Sequence, residues 1–165
     1  MQPESAGQRL KEYLVSQGVP CDAGVSERRI AQFESRTGVR VPPEVRDYFT
    51  TMDGSAGAYA DGLIRFWGLD EVKSVAEEIP GDAPSSAAVI QAFYRVPIEG
   101  ADHYFVFADA MHEAQLYAIH LSSTTGEDNE IVLLDGSAPI PVANSLSQFI
   151  ERYIDSPEQL RLVVD

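Results

Sequence analysis

The chain has 165 residues, 44% of them hydrophobic, with 12 Lys plus Arg against 26 Asp plus Glu and a formal net charge of −14. This length points to one domain, residues 1–165, large enough to bury a core of its own. No apolar run approaches the roughly 18 to 20 residues that a membrane helix needs, and so acidic a field repels nucleic acid and anionic membranes, which require cationic partners.

In chain order, residues 5–17 predict a first helix with Leu10, Tyr13 and Leu14 facing inward. Residues 18–24 read as a loop around Pro20. The lone Cys21 falls there without catalytic context and cannot form an internal disulfide. Together with the polar start MQPESAGQRLKEY, which lacks the apolar stretch of an export signal, this predicts a reducing, cytoplasmic location.

Residues 30–54, IAQFESRTGVRVPPEVRDYFTTMDG, are the most informative stretch. They read as two short helices joined by a proline hinge. Ile30 and Phe33 share a face of the first, and Val45, Tyr48, Phe49 and Met52 repeat the helical period in the second. Ser26 is the expected N-cap and Gly38 the C′ residue of the first helix. Pro43 opens the second, where its missing N–H is no loss, and Gly54 is expected to close it in a left-handed conformation.

Residues 54–62 form a small-residue loop with one exposed aromatic, Tyr59, and residues 63–67 have strand character. Asp70 is expected to cap a helix carrying Val72, Val75, Ala76 and Ile79, stopped by Pro80-Gly81, and residues 80–87 a turn. The second half reads as sheet. Strands are expected at 92–98, 104–108, 115–121 and 131–134, with a turn at 109–114, a polar loop at 122–130 and a stop at Asp135-Gly136. In the strand at 115–121 both alternating faces are largely apolar, which makes it central. Ser145 and Gln148 form a capping box ahead of a last helix buried through Leu146, Phe149, Ile150, Tyr153 and Ile154. The tail is expected to add Leu160, Leu162 and Val163 as a strand or packing segment. Helices at both ends of a mostly antiparallel sheet define an α+β fold.

The hinge stretch resembles the signature of the SUKH superfamily, the Smi/Knr type that includes a fungal cell-wall regulator and bacterial toxin-immunity proteins. The matching parts are Glu34, Gly38, Val41-Pro42, the helix opened by Pro43, and Asp53-Gly54. FVFADAMHEAQLYAIHL at 105–121 is similar to the family's strand–turn–strand unit, and VANSLSQFIERYI at 142–154 to its closing helix. The resemblance spans 26–155, leaving 1–25 as an extension. It implies a curved sheet braced by helices and a non-catalytic, protein-binding role.

Motifs of chemistry are scarce. Phosphate-binding glycine loops and a nucleophile elbow are missing from the sequence, and one cysteine excludes Cys-type zinc clusters. His103, His112 and His120 lie near Asp102, Asp109 and Glu113, but His112-Glu113 fails to continue as H-E-x-x-H because residue 116 is Leu. Two half-buried strand histidines and one loop histidine are the simpler reading. The adjacent acids Glu77-Glu78 and Glu127-Asp128 are ordinary solvated pairs. No catalytic residue, metal ligand or cofactor is therefore assigned.

Charge gives the partner its chemistry. Residues 1–82 carry 9 basic and 14 acidic side chains, residues 83–165 carry 3 and 12, and no Lys or Arg stands between Arg95 and Arg152. Such a field either keeps the protein soluble or attracts a basic protein. The partner-binding residues expected are the acidic loop positions Asp109, Glu113, Glu127, Asp128 and Glu130, with Tyr59 and Trp67 as aromatic anchors; for Trp67 the alternative is packing of its strand. The function expected is an immunity protein that binds a basic toxin, for example a nuclease. A regulatory scaffold with endogenous partners is the alternative, and a metalloprotein or enzyme using the histidines is third.

Overall fold

A computed structural model describes residues 5–60, 63–75, 103–111, 115–122, 129–135 and 139–162. Three helices come first. α1 (Ala6–Ser16) begins where the Ser5 hydroxyl accepts from the Gln8 N–H, and it buries Leu10 and Leu14. α2 (Glu27–Thr37) is capped by Ser26, which accepts from the Arg29 N–H, and ends at Gly38 in the left-handed region at φ 77°. α3 (Pro43–Thr51) starts on its proline and buries Val45, Tyr48 and Phe49. Ser26, Gly38 and Pro43 stand where expected, while the Ser5 cap was not singled out in the sequence; each side-chain cap is worth about 1 kcal/mol.

Among the described residues the six strands are β1 (Ile64–Phe66), β2 (Lys73–Ser74), β3 (Tyr104–Ala110), β4 (Gln115–His120), β5 (Ile131–Leu134) and β6 (Ile140–Ala143). They form one curved sheet in the order β1-β3-β4-β5-β6, every pairing antiparallel, while β2 also pairs β3. β1 runs against Ala108–Ala110 and β2 against Phe105–Val106, so two short strands share one flank of β3. β4 is central, between β3 and β5, and buried from Leu116 to Ile119. On the outer strand β6, Pro141 is exposed opposite Val132.

α4 (Leu146–Asp155) closes the core. The Ser145 hydroxyl accepts from the Gln148 N–H, and the Gln148 side chain accepts from the Asn144 N–H, a capping box displaced by one residue. Glu44 of α3 adds its carboxylate to the Ser147 N–H in the first turn of α4, where negative charge suits the helix dipole. Edge-to-face aromatic pairs join helices to sheet: Phe33 with Phe105, Phe66 with Tyr153, and Phe107 and Tyr117 with Phe149. Beyond α4, a 3-10 turn (Pro157–Leu160) buries Leu160, whose carbonyl accepts from the Tyr117 hydroxyl at 2.6 Å; Leu162 is buried beside it.

Four expectations change. The helix expected after Asp70 starts later, because Lys73 and Ser74 first pair with Val106 and Phe105 as β2; helical backbone is reached at Val75, and the exposed Asp70 pairs with Arg29 instead of capping. The turn expected at 109–114 starts later, since β3 continues through Ala110. Residues 142–143, which the resemblance put in the closing helix, belong to β6, and the helix begins at Leu146 behind the expected Ser145 cap. Gly54 is left-handed at φ 83° but does not close α3, which ends through the extended Met52 bridged to Ala23. Gly54 instead lets the chain pass tightly against β1, for a Cβ there would lie 2.7 Å from the Phe66 oxygen. The strand at 92–98, the turn at 80–87, Ala76, Ile79 and Val163 lie outside the described residues, as does most of the 122–130 loop.

Two substitutions test this packing. Gly54→Ala adds a Cβ against backbone at a positive φ and is expected to destabilise by about 2 kcal/mol or more in urea unfolding. The Tyr48 hydroxyl is buried with no hydrogen-bond partner among the described residues. Tyr48→Phe removes that orphan group, so stability should hold or rise by about 1 kcal/mol.

Candidate partner-binding surface

A bulge decides where Asp109 points. Residues directly opposite one another in a sheet share a face. Val106 pairs with Ala118 but Ala108 pairs with Tyr117, so Phe107 is the extra residue. Ala108 thereby joins Tyr117 and Phe66 on the helix side, and Asp109 turns to the other face opposite Arg65.

There Asp109 is wholly buried. Its Oδ1 accepts from the Tyr59 hydroxyl at 2.8 Å, and its Oδ2 accepts from Arg65 Nε at 2.9 Å and Trp67 Nε1 at 2.6 Å. The Arg65 guanidinium stacks 5.5 Å from the Trp67 ring and 5.8 Å from the Tyr59 ring, and reaches Glu71 at 3.3 Å. Burial lowers the Arg65 pKa, but the hydrogen bond and charge of Asp109 more than reverse this and raise it above the ordinary value. Three of the residues expected to meet a partner thus meet one another. Asp109 is an internal anchor and not a loop acid, Tyr59 is half-buried, and Trp67 is packed, as its alternative reading had it.

Glu130 is half-buried beside β4, its carbonyl accepting from the His120 N–H at 2.8 Å. Burial first, then the Glu130 charge, push the nearby Tyr104 phenol upward. Glu113, Glu127 and Asp128 lie outside the described residues.

Among the described residues the exposed large apolar side chains are Val15, on α1, and Leu63 and Met111, none of which the sequence singled out. Leu63 and Met111 are 50% and 44% exposed, and the Met111 N–H donates to the Leu63 carbonyl at 3.0 Å. Both hold left-handed backbone, φ 57° and 54°, which costs a non-glycine residue about 1 kcal/mol or more. They sit directly beyond the paired Ile64 and Ala110, on a corner stiffened by the Asp109 cluster.

The carboxylates of the hinge signature are fasteners. Glu34 Oε2 accepts from the Val41 N–H at 2.9 Å and its Oε1 lies 3.3 Å from Arg46, so one side chain ties α2, the hinge and α3. Arg46 also meets Glu27 at the start of α2. Asp53 Oδ1 accepts from the Leu69 N–H at 2.6 Å while Oδ2 faces Arg29 at 3.7 Å, joining the end of α3 to the segment after β1. The outer face of α2 carries exposed Arg28, Gln32 and Arg36, and an open groove of about 240 Å³ runs between Arg29, Gln32, Phe33, Arg36, Leu69 and Asp70.

Among the described residues, groups suited to bond-making chemistry do not converge. His103 and His120 face each other with ring centroids 6.3 Å apart, and His112 lies outside the described residues. No group of three His, Cys, Asp or Glu able to hold a metal occurs among the described residues. Burial pushes the Cys21 thiol up, which keeps it protonated at neutral pH and a poor nucleophile.

Removing one partner from a buried charged network leaves the others unpaired. Asp109→Asn is therefore expected to destabilise by about 3 kcal/mol, with loss of near-ultraviolet circular dichroism from Trp67; wild-type urea stability would contradict the anchoring role. Glu34→Ala loses a backbone cap and a part-buried ion pair, an expected loss of about 1 to 2 kcal/mol by the same unfolding measurement.

The profile of the SMI1 / KNR4 family (SUKH-1) matches residues 24–152. Compared with individual curated proteins, the chain finds no match. The matched region opens just ahead of α2 and closes inside α4, and so contains the hinge, both fasteners and all six strands. On this match over most of its length, together with the α+β architecture, the chain belongs to the SMI1 / KNR4 (SUKH-1) family.

Proposed function

We propose that this protein is an immunity protein that acts in the cytoplasm and neutralises a basic toxin domain by binding it directly. A SUKH protein is a protein-binding module, and the finer reading rests on charge. The observation that carries it is the formal charge of −14, with no Lys or Arg between Arg95 and Arg152. A nuclease domain rich in Lys and Arg is the partner chemistry that this field fits best. An acidic protein laid over a nucleic-acid cleft competes directly with phosphate for the same cations, and long-range attraction speeds its capture. The exposed Leu63 and Met111 support the reading, because partner recognition concentrates on apolar anchors inside a charged rim.

The test is a pull-down from the source cell lysate with tagged protein at low and high salt. One basic protein released by high salt is expected; several housekeeping proteins, or no salt-sensitive capture, would favour a regulatory scaffold. With the partner in hand, the double variant Asp128→Lys/Glu130→Lys should slow association about tenfold at low salt and much less at high salt. An unchanged on-rate would remove the 122–130 loop from the docking surface.

A further inference from the structure

The outer face of α2 opposes the sign of the whole molecule. Four of the twelve basic residues, Arg28, Arg29, Arg36 and Arg40, fall between 28 and 40, where Glu34 is the single acid. Glu34 is already engaged by the Val41 N–H and Arg46, and Arg29 by Asp53 and Asp70. Arg28, Arg36 and Arg40 are exposed, and none makes an ion pair among the described residues. On a helix, positions 28, 32 and 36 form one stripe about 12 Å long.

Arg36 is held ready for an anion. Its guanidinium carbon lies 5.4 Å from the Phe33 ring centroid. Stacking covers one face of the guanidinium and leaves the N–H edge open, which is the geometry of bidentate carboxylate recognition. The groove beside it is lined by Phe33 and Leu69, with Gln32 adding an amide and the paired Arg29 and Asp70 a charge of each sign. An occupant thus needs carboxylates toward Arg36 and Arg28 and an uncharged side chain over Leu69.

We propose that the α2 face, Arg28, Gln32 and Arg36 with the Phe33–Leu69 groove, docks an acidic segment of a partner protein. The argument is charge complementarity at a preorganised guanidinium. It does not depend on the toxin reading, which concerns a partner of opposite charge on other surfaces. A polyanion as dense as nucleic acid is opposed by the remaining charge, whereas a short acidic segment meets only the local arginines.

The probe is a synthetic oligoglutamate peptide with one central leucine, titrated into the isotopically labelled full chain and followed by NMR, with anisotropy for affinity. Expected are shifts confined to α2, the Arg36 side chain and Leu69, with binding that weakens at about 0.15 M salt. Arg36→Glu should weaken binding about tenfold and Arg28→Glu/Arg36→Glu further, while Arg36→Gln falls between. Arg161→Glu makes the same charge change on the 3-10 turn and should have little effect. Amide spectra of each variant establish that the fold is retained. Four results would overturn the proposal: absence of binding, equal weakening by Arg161→Glu, equal binding of an uncharged glutamine analogue, or tighter binding of a short single-stranded oligonucleotide. Self-association at low salt that Arg36→Glu abolishes would assign the face to a second copy of this chain and overturn it as well.

Discussion

A fully buried carboxylate anchors the segment around β1 to the sheet. Asp109 is fully buried, and a phenol, a guanidinium and an indole all donate to it. An uncompensated buried charge is worth several kcal/mol of penalty, so these donors must arrive together. Tyr59, Arg65 and Trp67 all come from the segment around β1. The network thus fixes the path of that segment over β3 and holds the corner where Leu63 and Met111 emerge.

What was legible in the sequence was local. Ser26, Gly38, Ser145 and Gln148 mark helix ends through bonds made within a few residues and Pro43 through the N–H it lacks, and each stands where its chemistry places it. The double apolar alternation of β4 correctly marked a central strand. Errors arose where distant contacts outweighed local preference. Asp109 has the composition of a turn residue, but its donors lie 42 to 50 residues away. The Val72–Val75 spacing suits a helix, but β3 offers an edge on which Lys73 and Ser74 pair first, so the backbone turns helical only at Val75. Pro141 argues against a strand, yet on an outer strand the missing N–H is tolerated.

The surface was legible only in part. Net charge forecasts the sign of the long-range field, but not which acids are exposed, and Asp109 was miscounted for that reason. The basic run from Arg28 to Arg40 was visible in the sequence. Its meaning needed the structure, which shows Glu34 and Asp53 engaged in holding the hinge together and Arg36 stacked on Phe33. The residues that carry the family signature therefore build the scaffold, and the side chains left to meet partners lie between them.

Pro141 has one more consequence. An outer strand with free N–H groups is a template on which another chain can add, the route to edge-to-edge aggregation. The exposed proline on β6 offers no donor at its position and interrupts that template. Among the described residues, that margin of the sheet is therefore a poorer template for a second copy of the chain than an unbroken strand would be.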